Sequence, residues 1–305
     1  MNQDLRIGLI GLDTSHVEGF TKIFHDKNNP DYIDGGKVVI AYPGGSDDFA
    51  MSYNRIDKYT KLVQEEYGVE ITHSIEEVAQ KSDAILMTSV DGRIHEEQFE
   101  SIVKFKRPVF IDKPFTTSVK SAKNMINLAK KHDTPLMSCS PLRFDESLNN
   151  QLKDDTNGKV IGADCYGPID LEETQPGLYW YGIHTVEMLY TLLGPGCKAI
   201  IAYKNRKNDV VIGEWEDGRI GFIRGNRYGR RDFGFTIHRE SGSQLSNSTK
   251  SKKSFHYYQA KNIFNFMKNK ESNIDLEITL EIIKFIQAAN ISRESGDVIQ
   301  MSDME

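Results

Sequence analysis

Five short apolar runs, at residues 5–10, 37–41, 84–88, 108–111 and 135–138, are separated by stretches of helical period at 17–25, 56–67, 96–105 and 119–132. That alternation constrains the fold more than any other feature. In the last helix Val119, Ala122, Met125, Ile126 and Ala129 recur at helix spacing and define one buried face. Buried strands alternating with helices call for right-handed crossovers, hence a parallel sheet covered on both sides.

The rhythm changes after about residue 142. A helix at 183–193 precedes strand-like runs at 199–204, 209–214, 219–224 and 233–239, parted by turns such as Glu216-Asp217-Gly218 and Glu240-Ser241-Gly242. Strands joined by short turns read as an antiparallel meander. Helices at 257–268 and 276–294 follow, the second with Leu276, Leu280, Ile283, Ile286 and Ile291 as its apolar stripe. The expected fold class is α/β. A Rossmann-type parallel-sheet domain over 1–141 precedes an α+β domain over 142–305 whose sheet is open and mostly antiparallel.

Composition narrows the function classes. A net charge of −6 disfavours nucleic acid and anionic membrane as partners, since both repel an acidic surface. Cys139, Cys165 and Cys197 are widely spaced, with no CxxC pair and no nearby histidines, which fits free thiols in a reducing compartment and no metal site. Met1-Asn2-Gln3-Asp4 reads straight into a strand, and no apolar run approaches the ~20 residues of a membrane span. The expected location is the cytoplasm.

The strand at 5–10 runs into Gly11-Leu12-Asp13-Thr14-Ser15-His16 and then a helix, the context of a dinucleotide-binding first turn. Only the first glycine of GxGxxG survives, as Gly11. Asp13 stands where the backbone normally approaches the phosphates, and His16 stands where a small residue lets helix and strand pack closely. Thr14 and Ser15 offer hydroxyls to a phosphate. A turn that has lost its nucleotide is the competing reading. The second strand ends Ala41-Tyr42-Pro43-Gly44-Gly45-Ser46, without the usual ribose-binding acid. Ser46, with Arg55 or Lys58, would suit a 2′-phosphate, a lean toward NADP over NAD that Asp47 and Asp48 can reverse. Ser89, at the tip of the fourth strand, joins the cofactor-binding candidates.

Val90-Asp91-Gly92-Arg93-Ile94-His95, the turn Ile111-Asp112-Lys113-Pro114, Leu142-Arg143-Phe144, Gly182-Ile183-His184 and the C-terminal Ile291-Ser292-Arg293-Glu294-Ser295-Gly296 occur in that order. With them the chain resembles, nearly end to end, the glucose–fructose oxidoreductase/inositol dehydrogenase/MocA family. Asp112-Lys113-Pro114 is similar to its Glu-Lys-Pro signature, with Asp for Glu. The resemblance implies oxidation of a sugar or polyol hydroxyl by hydride transfer to NAD or NADP. It implies Lys113 as the cationic donor, in a bond to Pro114 that is often cis, and His184 as the base. Asp112 joins the cofactor set, and His95, Arg143, Trp180 and Tyr181 the substrate set. The family's Asp four residues before this histidine is Trp180 here. Glu187, one turn after His184, is the candidate replacement, with Tyr179 or Tyr181 as alternative proton relays. A homodimer or homotetramer through the C-terminal sheet is also implied. Two other functions compete: a non-redox sugar- or metabolite-binding protein that kept the fold, and a lyase or glycosidase using tightly held NAD.

Overall fold

The structure, a computed structural model, describes residues 4–304. The segment Met1–Gln3, read as leading into the first strand, lies outside the described residues. The first sheet is built from β1 (Leu5–Ile10), β2 (Gly36–Tyr42), β3 (Glu70–Ile71), β4 (Ala84–Met87), β5 (Val109–Ile111) and β6 (Leu136–Ser138), in the order β3-β2-β1-β4-β5-β6. All its pairings are parallel. The order reverses between β1 and β4, and in open α/β sheets such a switch point is where ligands bind.

Its helices are α1 (Ser15–His25), α2 (Ala50–Tyr53), α3 (Ile56–Tyr67), α4 (Ile75–Lys81), α5 (His95–Ile102) and α6 (Val119–His132). Ordinary end signals set their limits. Gly68 takes a left-handed conformation at the end of α3. Ser74 caps α4 by accepting the Glu77 N–H at 3.2 Å. Every residue of β4 and β5 is buried, which explains their uninterrupted apolar runs. The face Val119, Ala122, Met125, Ile126 and Ala129 of α6 is buried as its spacing predicts.

The second sheet contains β7 (Val160–Pro168), β8 (Cys197–Lys204), β9 (Asn208–Trp215), β10 (Ile220–Asn226), β11 (Gly234–Arg239), β12 (Gly242–Asn247) and β13 (Ile299–Gln300), in the order β12-β11-β7-β10-β9-β8-β13. It is mixed: β7 runs parallel to β10, and the other pairings are antiparallel. The expected four-strand meander is therefore corrected, because β7 inserts between β10 and β11. The remaining helices are α7 (Glu146–Lys153), α8 (Ile183–Leu193), α9 (Phe255–Asn269) and α10 (Leu276–Ser295). The buried face of α10 runs through Thr279, Ile282, Ile283, Ile286, Ala289 and Arg293, and Ile291 of the expected stripe is exposed.

The chain divides into two compact units. One holds the residues up to Thr116 with Ser121–Cys139 and Gln259–Leu276, and the other holds Thr117–Lys120, Ser140–Tyr258 and the remainder from Glu277. Much of α9 thus packs with the first sheet, where Phe264 meets Phe24 of α1 at a centroid distance of 5.6 Å. Among the described residues no helix is long and apolar enough to cross a membrane.

Candidate active site

In the first unit the chain leaves β1 through Gly11, whose φ of +89° lies in the left-handed region. A Cβ there would stand 2.4 Å from the Ser89 backbone nitrogen, so the loops after β1 and β4 approach too closely for any side chain. Thr14 then caps α1, accepting the His16 N–H. Ser15 is exposed at the opening of the helix, where N–H groups suit an anion.

Asp13 does not face that opening. It is fully buried, accepting Ser52 Oγ at 2.6 Å and the Val90 N–H at 2.9 Å. Burial pushes its carboxyl above the ordinary range. The assignment of Asp13 to cofactor contact is corrected: its carboxylate ties the turn after β1 to α2 and to the loop after β4. Ser46 is corrected likewise, since its buried hydroxyl donates to Asp91 at 2.7 Å. Asp91 also accepts from Arg93, whose guanidinium reaches Asp48 at 2.7 Å, a carboxylate 65% exposed. Lys58 lies over the Tyr59 ring at 4.9 Å.

Ser89 is corrected for the same reason as Ser46: it is fully buried beside Gly11, and its hydroxyl donates to Gln98 at 2.9 Å. His95 is corrected as a substrate contact. It is fully buried, with Nε2 2.8 Å from the Ser89 carbonyl and Nδ1 3.1 Å from the carbonyls of Pro114 and Phe115. The ring joins the loop after β4 to the segment following Lys113.

Lys113 follows β5, in a cis bond to Pro114. Burial pushes its ammonium below the ordinary lysine range, against the attraction of Asp112. Asp112 accepts the Lys113 N–H at 2.8 Å through one oxygen and meets Nδ1 of His16 with the other. Burial alone would raise the Asp112 carboxyl. The charges and hydrogen bonds of His16 and Lys113 prevail and hold it at about 2. The sequence named His16 apart from the Asp112-Lys113 turn, and the fold brings it to Asp112.

A second cluster belongs to the other unit. His184 opens α8, a helix buried on nearly all sides, and its Nδ1 lies 2.7 Å from Ser140 Oγ. Tyr181 meets the His184 ring edge-on at 5.2 Å and stacks on Phe233, with the Arg231 guanidinium 5.8 Å from its centroid. Glu187 is corrected as the orienter of His184. It is 4% exposed and forms a buried ion pair with Arg143, itself 12% exposed, and it also accepts the Ser140 backbone N–H. Burial raises its carboxyl despite Arg143. Arg143 is thereby committed to Glu187 through Nε, although its Nη2 is buried without a hydrogen-bond partner. Tyr179 is corrected as a relay, because its buried hydroxyl donates to the Ile283 carbonyl at 3.1 Å. Trp180 is buried, which fits packing better than contact with a sugar face. Ser140, missed in the sequence, precedes a Pro and carried no pattern signal.

Residues 6–139 match the oxidoreductase family GFO_IDH_MocA, described as an NAD-binding Rossmann fold. The uncharacterized oxidoreductase YhhX of Escherichia coli K12 is 27% identical over 142 residues, covering 41% of this chain and 40% of that protein. The match thus spans less than half of that relative. A scyllo-inositol dehydrogenase from Lactobacillus casei, solved with bound NAD(H) and scyllo-inositol, superposes with a TM-score of 0.82 at 15% identity, covering 98% of this chain and 100% of that one. A probable dehydrogenase from Thermotoga maritima gives 0.80 at 18% identity, covering 99% and 100%. At these identities the likeness to solved structures shows the shared fold.

Proposed function

We propose that this chain, a divergent member of the glucose–fructose oxidoreductase/inositol dehydrogenase/MocA family, oxidises a hydroxyl of a sugar or polyol with a nicotinamide cofactor. The observation that carries the reading is Lys113, held at the carboxyl end of β5 beside the buried carboxylate of Asp112. A cation there fixes the reacting oxygen and stabilises its developing negative charge. The residues of the first turn fit a dinucleotide: Gly11 leaves the space a Cβ would fill, α1 opens toward the switch point, and Asp13 is turned away. Gly11, Thr14 and Ser15 are the residues we assign to holding it. When bound, it supplies the hydride acceptor.

We assign NAD rather than NADP, reversing the lean drawn from the sequence. Ser46 has its hydroxyl committed to Asp91, and Asp48 and Asp91 outnumber the one guanidinium of Arg93 there, so a 2′-phosphate meets net negative charge. In the second unit, Tyr181 and Phe233 offer aromatic faces to an apolar sugar face beside His184. We also assign the outward face of the second sheet to a second copy of the chain. There Ile201 pairs with Ile212 and Ile212 with Phe222 in one apolar row, with Ile201 and Ile212 exposed.

Fluorescence titration with NADH and NADPH tests the reading. NADH should bind more tightly, and Lys113→Ala should remove turnover of polyols while leaving the melting temperature near wild type. Failure of both nucleotides to bind at millimolar concentration would sink it. One observation favours a sugar-binding protein without redox activity: the Leu12 N–H is donated to the Pro43 carbonyl and Leu12 is fully buried, so part of the first turn is covered by the next loop. Tight binding of a polyol by a protein that takes no nucleotide would establish that alternative.

A further inference from the structure

We infer that His16, oriented by Asp112, takes the proton from the substrate hydroxyl, the role that the resemblance gives to His184. The inference rests on the dehydrogenase reading. His16 lies in the first turn of α1, reached from β1 through the turn at 11–14, and Asp112 directly follows β5. Those strands flank β4, so the pair joins the two sides of the switch point, where ligands of such sheets are received.

A carboxylate on Nδ1 keeps the ring proton on that nitrogen and leaves the basic lone pair on Nε2. It also stabilises the imidazolium that forms once a proton is accepted. Asp112 is well placed to do both. Its side chain is 4% exposed, and its second oxygen is fixed by the backbone N–H of Lys113 at 2.8 Å. The His16 side chain is 15% exposed, so the ring is not sealed in the core. The neighbouring Lys113 supplies the cation, which divides the work between a donor that holds the oxygen and a base that removes its proton.

His184 is set differently. At its Nδ1 stands the Ser140 hydroxyl, which already accepts the Leu142 N–H at 3.2 Å. A neutral hydroxyl stabilises an imidazolium less than a carboxylate does. Glu187, the nearest acid along α8, is turned to Arg143. The histidine–carboxylate pair thus stands in the Rossmann unit.

In the step, the substrate O–H bond breaks and its proton goes to Nε2 of His16. When bound, an oxidised nicotinamide would supply the acceptor for the hydride that leaves the carbinol carbon as the carbonyl forms. His16 then returns the proton to solvent.

Two measurements on the intact chain test this. Nitrogen-15 NMR of histidine-labelled protein, without nucleotide, should show His16 as the Nδ1–H tautomer at neutral pH, and Asp112→Asn should shift it. An Nε2–H tautomer in the wild type, or a spectrum unmoved in Asp112→Asn, would overturn the pairing. Turnover is then followed with NAD on a panel of inositols and aldoses. His16→Asn should lower kcat by about 10²–10⁴-fold with NADH affinity unchanged, and free imidazole should restore rate to His16→Gly. A His16→Asn rate within about threefold of wild type would return the role to His184. His16→Gln serves if the first variant does not fold. A wild type that binds no nicotinamide and turns over nothing defeats the dehydrogenase reading and the proton role with it, and the NMR result then separates that failure from an absent dyad.

Discussion

The Ser140 hydroxyl lies 2.7 Å from Nδ1 of His184 and makes this histidine a neutral neighbour's partner. Ser140→Ala removes that contact and the cap on Leu142. The expected loss is about 1–2 kcal/mol of stability, read by urea unfolding. A buried alcohol that orients the ring without charging it should change KM for a polyol more than kcat. A collapse of kcat with KM unchanged would show that the hydroxyl belongs to the proton path.

Arg143 and Glu187 are an ion pair removed from water. Arg143→Met leaves a buried carboxylate unmatched and should cost about 3 kcal/mol, whereas the double variant Arg143→Met/Glu187→Met should recover most of it. Unfolding of the two single variants and the double variant gives the coupling directly. Additive losses would mean the pair is worth little.

Gly11→Ala places a methyl 2.2 Å from Ser89 Oγ and 2.4 Å from the Ser89 backbone nitrogen, at a φ of +89°. The backbone atom cannot swing aside. A loss of about 2–4 kcal/mol in the thermal or chemical melt is expected, with weaker NADH binding. Preserved stability and preserved affinity together would place the nucleotide elsewhere.

Asp112 has its folded-state pKa depressed to about 2. Its carboxylate therefore stabilises the folded state above the unfolded pKa of about 4, and that contribution is lost as pH falls toward 2. The stability advantage of wild type over Asp112→Asn should shrink by about 2 kcal/mol between pH 5 and pH 2. A pH-independent difference would contradict the hydrogen-bonded contacts of Asp112 with His16 and Lys113. Asp13 has the opposite sign: its raised pKa favours the folded state at low pH, and that benefit fades as pH rises through the folded value.

Ile212→Glu puts a charge in the middle of the row Ile201–Ile212–Phe222 without touching the core. If a second copy covers this face, sedimentation should shift from dimer or tetramer to monomer while the melt of the monomer stays near wild type. A wild type that is monomeric at micromolar concentration would remove that assignment.

The first sheet was legible because β4 and β5 are buried on every residue, so their apolar runs are unbroken. β7 was not, because Gly162, Asp164, Gly167 and Pro168 interrupt its pattern. Structure gives two of those glycines a purpose: a Cβ on Gly162 would meet the Ile220 carbonyl at 2.9 Å, and one on Gly167 would meet the Phe233 ring at 2.3 Å. β12 is polar, with Leu245 exposed, and offers no buried alternation to read. At the site, Lys113 was found from its turn read together with the other motifs that carry the resemblance. Its partnership with His16 was invisible, since 96 residues separate His16 from Asp112 and only the switch in strand order brings them together. Glu187 was placed on the correct helix but assigned the wrong partner, because helical spacing gives the side a residue faces and not which neighbour reaches it first.

The two-residue β13 closes the β8 side of the second sheet, and the polar β12 ends the other side. Strand edges that are short or polar make poor templates for further chains to add onto. Growth by strand addition, the route from a sheet to a fibre, is thereby blunted at both margins. The second copy proposed above would then lie sheet over sheet, a contact that a two-fold axis closes after two copies.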